Sequence, residues 1–205
     1  MFIPKIYKNE DFNLMKKIIG ENAFGLLMSN NERLLATHSM FLLNGTEEKF
    51  HLETHISKAN PQSKILKNDD EVLCDFLGAH SYISSSWYQK TNVSTWNYQA
   101  VQIRGKVKIM TNDGLYNHLD QLTRKYETTQ KCPMQIEKMG NEFVEKEMKG
   151  AFGINICPME IHIANKLSQN RNENDFENIV INLNQSENEN AKMIAEEMMK
   201  IKIGL

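Results

Sequence analysis

Apolar positions recur along this chain at two periods, and the alternation between them predicts the elements. Phe12, Met15 and Ile19 are spaced for a helix from about residue 9 or 11 to 19, with Asn9 or Asp11 as N-cap and Gly20 as the stop. Three β-like segments follow at 23–29, 34–43 and 49–56, separated by the polar gaps 30–33 and 44–47. The second gap carries Asn44-Gly45, a strong hairpin signal, so the domain opens as an antiparallel meander. Residues 59–67 suit one or two helical turns, with Pro61 near the first position, where its missing N–H costs nothing. Strands are predicted at 71–77, 80–84 and 98–110. In the last, Val101, Ile103, Val107 and Ile109 form the apolar set and Gly105 marks a bulge or bend. Leu115, Leu119, Leu122 and Tyr126 make one stripe of a helix over 112–127; a weaker helix fits 137–148 and a strand fits 151–163. After residue 168 the stretches 169–175 and 184–190 are polar and read as loop or linker. Ser186 with Glu189 spells a capping box before a last helix whose Met193, Ile194, Met198 and Ile201 would face a partner. The predicted architecture is mainly β within the α+β class, an antiparallel barrel with peripheral helices over 1–168, and 169–205 as an appended polar linker and helix.

Composition leaves this picture intact and removes several functions from it. With 205 residues, 40% hydrophobic and 24% charged, the chain is sized for one globular domain and needs no disulfide or metal staple. Twenty-four Lys+Arg against 26 Asp+Glu give a net charge of −2, against the basic excess that sequence-blind nucleic-acid binding requires. Cys74, Cys132 and Cys157 are too few and too scattered for a disulfide framework or zinc knuckle. The start lacks a signal-peptide layout and no apolar run reaches bilayer length, so the expectation is a soluble cytoplasmic protein with no membrane contact.

P-loop, G-x-G-x-x-G, C-x-x-C, H-E-x-x-H and G-x-S-x-G motifs are all absent. His51, Glu53 and His55 share one strand face. Side chains on a straight strand project in parallel rather than converging, so no metal is expected there and the bland alternative is a solvated face. The run from Thr54 to Pro61 passes from a strand through Ser57 and Lys58 to a helix start. Those side chains, His55 and freed N–H groups would suit a phosphate; the alternative is a surface lysine beside a turn. Thr37, His38 and Ser39 insert polarity into an apolar strand and need hydrogen-bond partners, either a ligand or a loop. Trp87, Trp96, Tyr82, Tyr88 and Tyr98 could line a groove for a flat ring, form a subunit interface, or belong to an ordinary core.

Five blocks carry a resemblance: Met1-Phe2-Ile3-Pro4-Lys5; Ala36-Thr37-His38; residues 54–62; residues 78–88 leading to Thr95-Trp96-Asn97-Tyr98; and Lys166-Leu167-Ser168-Gln169-Asn170-Arg171. In this order they resemble the PaiB-like family, described as FMN-binding negative transcriptional regulators on the split β-barrel shared with pyridoxamine-phosphate oxidases and flavin reductases. The family usually carries Arg where Lys58 stands, which keeps the charge but loses the bidentate fork. It has Pro in place of Ala79 and Ser85, and histidines in place of Gln102 and Arg104, where Arg104 would add an anion-binding charge. The resemblance implies an antiparallel split-barrel homodimer with FMN in a cleft at the dimer interface, Thr37 and His38 near the flavin ring, and Ser57 and Lys58 near its phosphate. By position it extends the cofactor-binding set to Ser39, Thr54, His55, Asn60, Trp96, Asn97, Tyr98 and Arg104.

Two functions follow from that resemblance: an FMN-binding regulatory protein, or a flavin-dependent oxidoreductase on the same scaffold, in which the isoalloxazine carries the redox chemistry. A DNA-binding repressor, as the family's description suggests, stays open as a third reading but finds no support in charge or motif, since the two mid-chain helices are separated by more than a helix-turn-helix allows.

Overall fold

The computed structural model describes residues 1–202. Its strands are β1 (Lys8–Asn9), β2 (Phe24–Asn30), β3 (Leu34–Thr46), β4 (Lys49–Ser57), β5 (Glu71–Ile83), β6 (Thr95–Ile109) and β7 (Ala151–Lys166). The helices are α1 (Phe12–Glu21), α2 (Pro61–Ile65), α3 (Asn112–Glu127), α4 (Asn141–Met148), α5 (Glu173–Asn184) and α6 (Glu189–Lys202). The sheet runs β1-β7-β4-β3-β2-β5-β6, and a further β6–β7 pairing closes it as an antiparallel split barrel with helices at its periphery. The described residues fall into two compact units, to both of which β5, β6 and β7 contribute.

One unit holds residues 23–75 and 103–161. Here β3 and β4 form the predicted hairpin, but Thr46 pairs with Lys49, so Glu47 and Glu48 make the tip. Gly45 lies inside β3 at φ +110°, where a Cβ would meet the Lys49 carbonyl oxygen at 2.2 Å. The Asn-Gly signal thus marks the strand end beside the turn. Gly105 makes no break either: β6 runs through it, and a Cβ there would sit 2.5 Å from the Cys157 carbonyl oxygen. Glycine is needed where β6 meets β7. The core contains Leu27, Phe41, Leu52, Val72, Cys74, Ile103, Val107, Ile154 and Ile156, all under 3% exposed. Thr111 caps α3 by accepting from Gly114 N at 3.1 Å. The helix turns Leu115, His118 and Leu122 inward, whereas Tyr126, expected in the stripe, is 39% exposed. The weaker helix expected over 137–148 divides into a 3-10 turn at Ile136–Lys138 and α4.

The other unit holds residues 1–22, 76–102 and 162–205, of which 203–205 lie outside the described residues. Asp11 caps α1 through Asn13 N at 2.8 Å, and the helix passes through Gly20 to end at Asn22, whose N–H bonds Ile18 O. The break expected near residues 78–79 is absent: β5 is continuous, because sheet pairing overrides the local breaker signal. The polar stretch after residue 168 contains α5, which begins at an Asn172 cap bonded to Asp175 N. α5 and α6 enclose an apolar cluster of Phe176, Ile179, Leu183, Ala191, Ile194, Ala195 and Met198 with Ala79, Ile83, Tyr88 and Leu167. Of the four α6 residues expected to face a partner, Ile194 and Met198 are buried, joined by Ala191 and Ala195, whereas Met193 and Ile201 are exposed. The capping box does not form: Ser186 Oγ accepts from Asn188 N, and Asn188 itself receives Asn190 N at 2.9 Å. Among the described residues no helix is long and apolar enough to cross a membrane.

Candidate functional site

The turn that ends β4 is held by backbone and side-chain hydrogen bonds. Asn60 N bonds Ser57 O at 3.0 Å, Lys58 N bonds Gly150 O at 2.8 Å, and Ser63 Oγ donates to the carbonyls of Lys58 and Asn60. Asn60 Oδ1 caps α2 through Gln62 N, with Pro61 at the first helical position as expected, although α2 is shorter than the predicted 59–67. The Asn60 amide also donates to Thr37 Oγ1 at 2.9 Å, which fixes the turn to β3. Ser57 Oγ accepts from Ala59 N at 3.1 Å. Because both the Ser57 and Thr37 oxygens act as acceptors here, each hydroxyl proton is left to donate. Lys58 lines a cleft of about 500 Å³ with Lys149, Asp113, Glu145, Asn112 and Tyr116. Two spare hydroxyl donors, Ser57 at the pinned turn and Thr37 on the adjoining β3, form with Lys58 a donor set suited to an oxyanion such as a phosphate. Asp113 and Glu145 leave the cleft no excess of positive charge, which favours an anion seated on the turn itself.

Strand alternation separates other members of the expected set. Thr37 faces Asn60, but His38 projects to the opposite face of β3 and stacks on Phe24, ring centroids 5.5 Å apart. The two do not reach one side of the strand together. Ser39 and Thr54 lie buried between β3 and β4: Thr54 Oγ1 reaches Ser39 Oγ at 2.9 Å and Met40 O at 2.8 Å, and Ser39 Oγ donates to His55 O. They satisfy one another and the backbone. Arg104, expected to offer a charge to an anion, is engaged by Glu160 at 2.7 Å and Glu71 at 3.4 Å.

In the other unit, Asn97 is fully buried, exchanging hydrogen bonds with Ser168 and donating to Met198 Sδ. Tyr98 is half-buried; Trp96 is half exposed and lies beside His80 and Tyr82, ring centroids 6.0 and 6.3 Å away.

The face carrying His51, Glu53 and His55 is not the solvated one that alternation suggested, since α3 covers it. His118, fully buried, reaches Glu53 Oε2 with Nδ1 at 3.3 Å and His55 Nδ1 with Nε2 at 3.0 Å, while His51 Nε2 meets Glu53 Oε1 at 2.9 Å. Burial raises the Glu53 carboxyl, but hydrogen bonds from His118, His51 and Asn44 outweigh it and hold the group at about 2. Burial, and then the charge of His118, pushes the His55 imidazole down to about 4. His118 was not anticipated as a functional residue. Its only sequence signal is an imidazole three residues from Leu115 and four from Leu122, on the apolar side of α3.

Residues 1–164 match the family model described as "Putative FMN-binding domain". The chain is 38% identical over 199 residues to the protease synthase and sporulation protein PAI 2 of Bacillus subtilis, covering 97% of this chain and 96% of that protein. In structure it is similar to the flavocytochrome Anf3 from Azotobacter vinelandii, with TM-score 0.60 and 14% identity, covering 85% of this chain and 78% of the other. It is similar too to the FAD and heme binding protein from Mycobacterium smegmatis, with TM-score 0.57 and 12% identity, over 78% and 73% of the two chains. With the family model spanning most of the chain, this protein belongs to the PaiB-like FMN-binding family, and its cofactor is FMN.

Proposed function

We propose that this chain is an FMN-binding regulatory protein that seats the cofactor's phosphate on the Ser57–Asn60 turn. The observation that carries the reading is the pinned turn, with the Ser57 and Thr37 hydroxyl protons left to donate beside Lys58. Ser57, Lys58 and Thr37 would hold the phosphate, and Asn60 positions Thr37. Bound FMN supplies a redox-active isoalloxazine; the chain's own part is to bind and orient it. A regulatory rather than metabolic role is supported by the similarity to the Bacillus subtilis protein, named for protease synthesis and sporulation, over nearly the full length of both chains. We propose a homodimer as the working form, with regulation exerted without direct DNA contact, as the net charge of −2 favours.

Lys58→Ala tests the cradle. Removing a charge-assisted phosphate contact of about 1.5–3 kcal/mol should weaken FMN binding by roughly 10- to 100-fold, read by quenching of flavin fluorescence. Riboflavin, which has no phosphate, should bind wild type and variant alike. An FMN affinity that ignores the substitution removes Lys58 from the site. Size-exclusion mass on the same samples tests the dimer, and salt-dependent binding to DNA would contradict the proposed indirect regulation.

A further inference from the structure

The odd-numbered residues His51, Glu53, His55 and Ser57 lie on one face of β4, which ends at the phosphate turn. Along this face a continuous hydrogen-bonded chain runs from Glu53 through the buried His118 to His55. With His118 neutral, the donor and acceptor inventory assigns the protons of this chain. A carboxylate only accepts, so His118 Nδ1 carries a hydrogen; the Nε2 of a neutral His118 then accepts from His55 Nδ1–H. That leaves His55 Nε2 as a bare acceptor at the end of the chain.

We propose that Glu53, His118 and His55 form a proton relay that makes anion binding at the Ser57–Lys58 turn proton-linked, with the proton entering at His55 Nε2 and its charge residing on His118. This rests on the reading of the turn as the FMN phosphate seat. When His55 Nε2 takes a proton, the His55 Nδ1 proton passes to His118 Nε2. His118 becomes an imidazolium between the Glu53 carboxylate and a neutral His55, whose tautomer has inverted. One proton is gained and one positive charge appears under α3. A second proton on His55 is opposed by burial and by the charge already on His118, in keeping with the depressed His55 value of about 4.

The groups facing the relay are His51 and Asn44, both on Glu53, and on β7 the uncharged Gly153 and Asn155, which pair with His55 and Glu53. Nearer the turn, α3 contributes Asp113 and Tyr116 to the cleft, α4 and the residue after it contribute Glu145 and Lys149, and the turn itself contributes Lys58. By linkage, an anion that prefers the protonated relay must take up protons as it binds.

The test measures FMN and riboflavin affinities at pH 8, 7 and 6 for wild type, His118→Gln, His55→Gln and His51→Asn. Free FMN titrates identically in all four experiments, so differences between the proteins report on the bound state and its relay. Wild type and His51→Asn should gain several-fold more FMN affinity toward pH 6 than His118→Gln, with no such difference for riboflavin. Wild type should also take up more protons on binding FMN, measured by calorimetry in buffers of different ionisation heat. If the buried His118→Gln does not fold, His55→Gln makes the same comparison from a half-buried position. Equal pH slopes in wild type and the folded relay variants overturn the proposal while leaving the phosphate seat standing. If FMN binds at no pH, the reading of the seat fails and the nitrogen-15 ring spectra of the ligand-free protein decide the relay. A bare His55 Nε2 that gains its proton as His118 becomes doubly protonated supports it; a His55 that carries Nε2–H throughout overturns it.

Discussion

His118 is bonded at both ring nitrogens and fully buried, and it alters the acid response expected of its neighbours. His55 is lowered from its ordinary 6.5 to about 4. As pH falls through 6.5 the unfolded chain therefore takes up this proton first, and stability present above 6.5 is lost down to about 4. Glu53, lowered from 4.5 to about 2, contributes stability above 4.5 that is lost as pH falls toward 2. Urea midpoints measured against pH should thus fall in two successive windows. His55→Gln should flatten the upper window and Glu53→Gln the lower; a wild-type profile in either variant contradicts the assignment. At this scale the sequence named His51, Glu53 and His55 as one face but could not supply His118, because its partner face lies 63 residues away in the chain. It grouped Thr37 with His38, whereas strand alternation puts them on opposite faces and only Thr37 meets the turn.

Among the elements, periodicity predicted most of what formed, and local breakers caused the departures. The helix over 112–127 and the strands near 24–30 and 49–57 appear within a residue or so of their predicted ends, since each has a clear apolar period or a cap. Gly20 predicts a stop and Gly105 a bulge or bend, yet α1 and β6 run through them, and β5 runs through the predicted gap at 78–79. At Gly105 the physical reason is contact: the β7 backbone at Cys157 occupies the place a Cβ would need. Gly105→Ala should therefore push β6 from β7 and destabilise by about 1–3 kcal/mol, as overpacking does, read as a lowered urea midpoint with an unchanged slope. A neutral substitution would show that the strands part there without cost.

For the molecule as a whole, the segment 169–205 looked like an appendage because its first residues are polar. In the structure, the described part of it supplies α5 and α6, which form one apolar cluster with Ala79, Ile83 and Leu167. Glu197 on α6 also receives Lys17 at 2.5 Å and Gln99 at 3.2 Å. Met198→Ala, at a fully buried position, should cost about 2–5 kcal/mol and be seen in the main unfolding transition. A separate early transition of the tail, with the rest of the melt unchanged, would restore the view of it as an appendage.

The sequence by itself determined the mainly-β α+β class, the antiparallel meander, the place of Pro61 at the first position of α2 and the turn between β4 and α2. These depend on hydrophobic period, turn chemistry and caps, all local properties of the chain. Its five spaced blocks also pointed to the family that the full-length comparison established. Only the tertiary structure decided that α3 covers the His51–Glu53–His55 face, that Arg104 is held by two glutamates, and that the polar tail joins a core. Each of these depends on which distant surfaces meet, and neither the spacing nor the polarity of neighbouring residues carries that information.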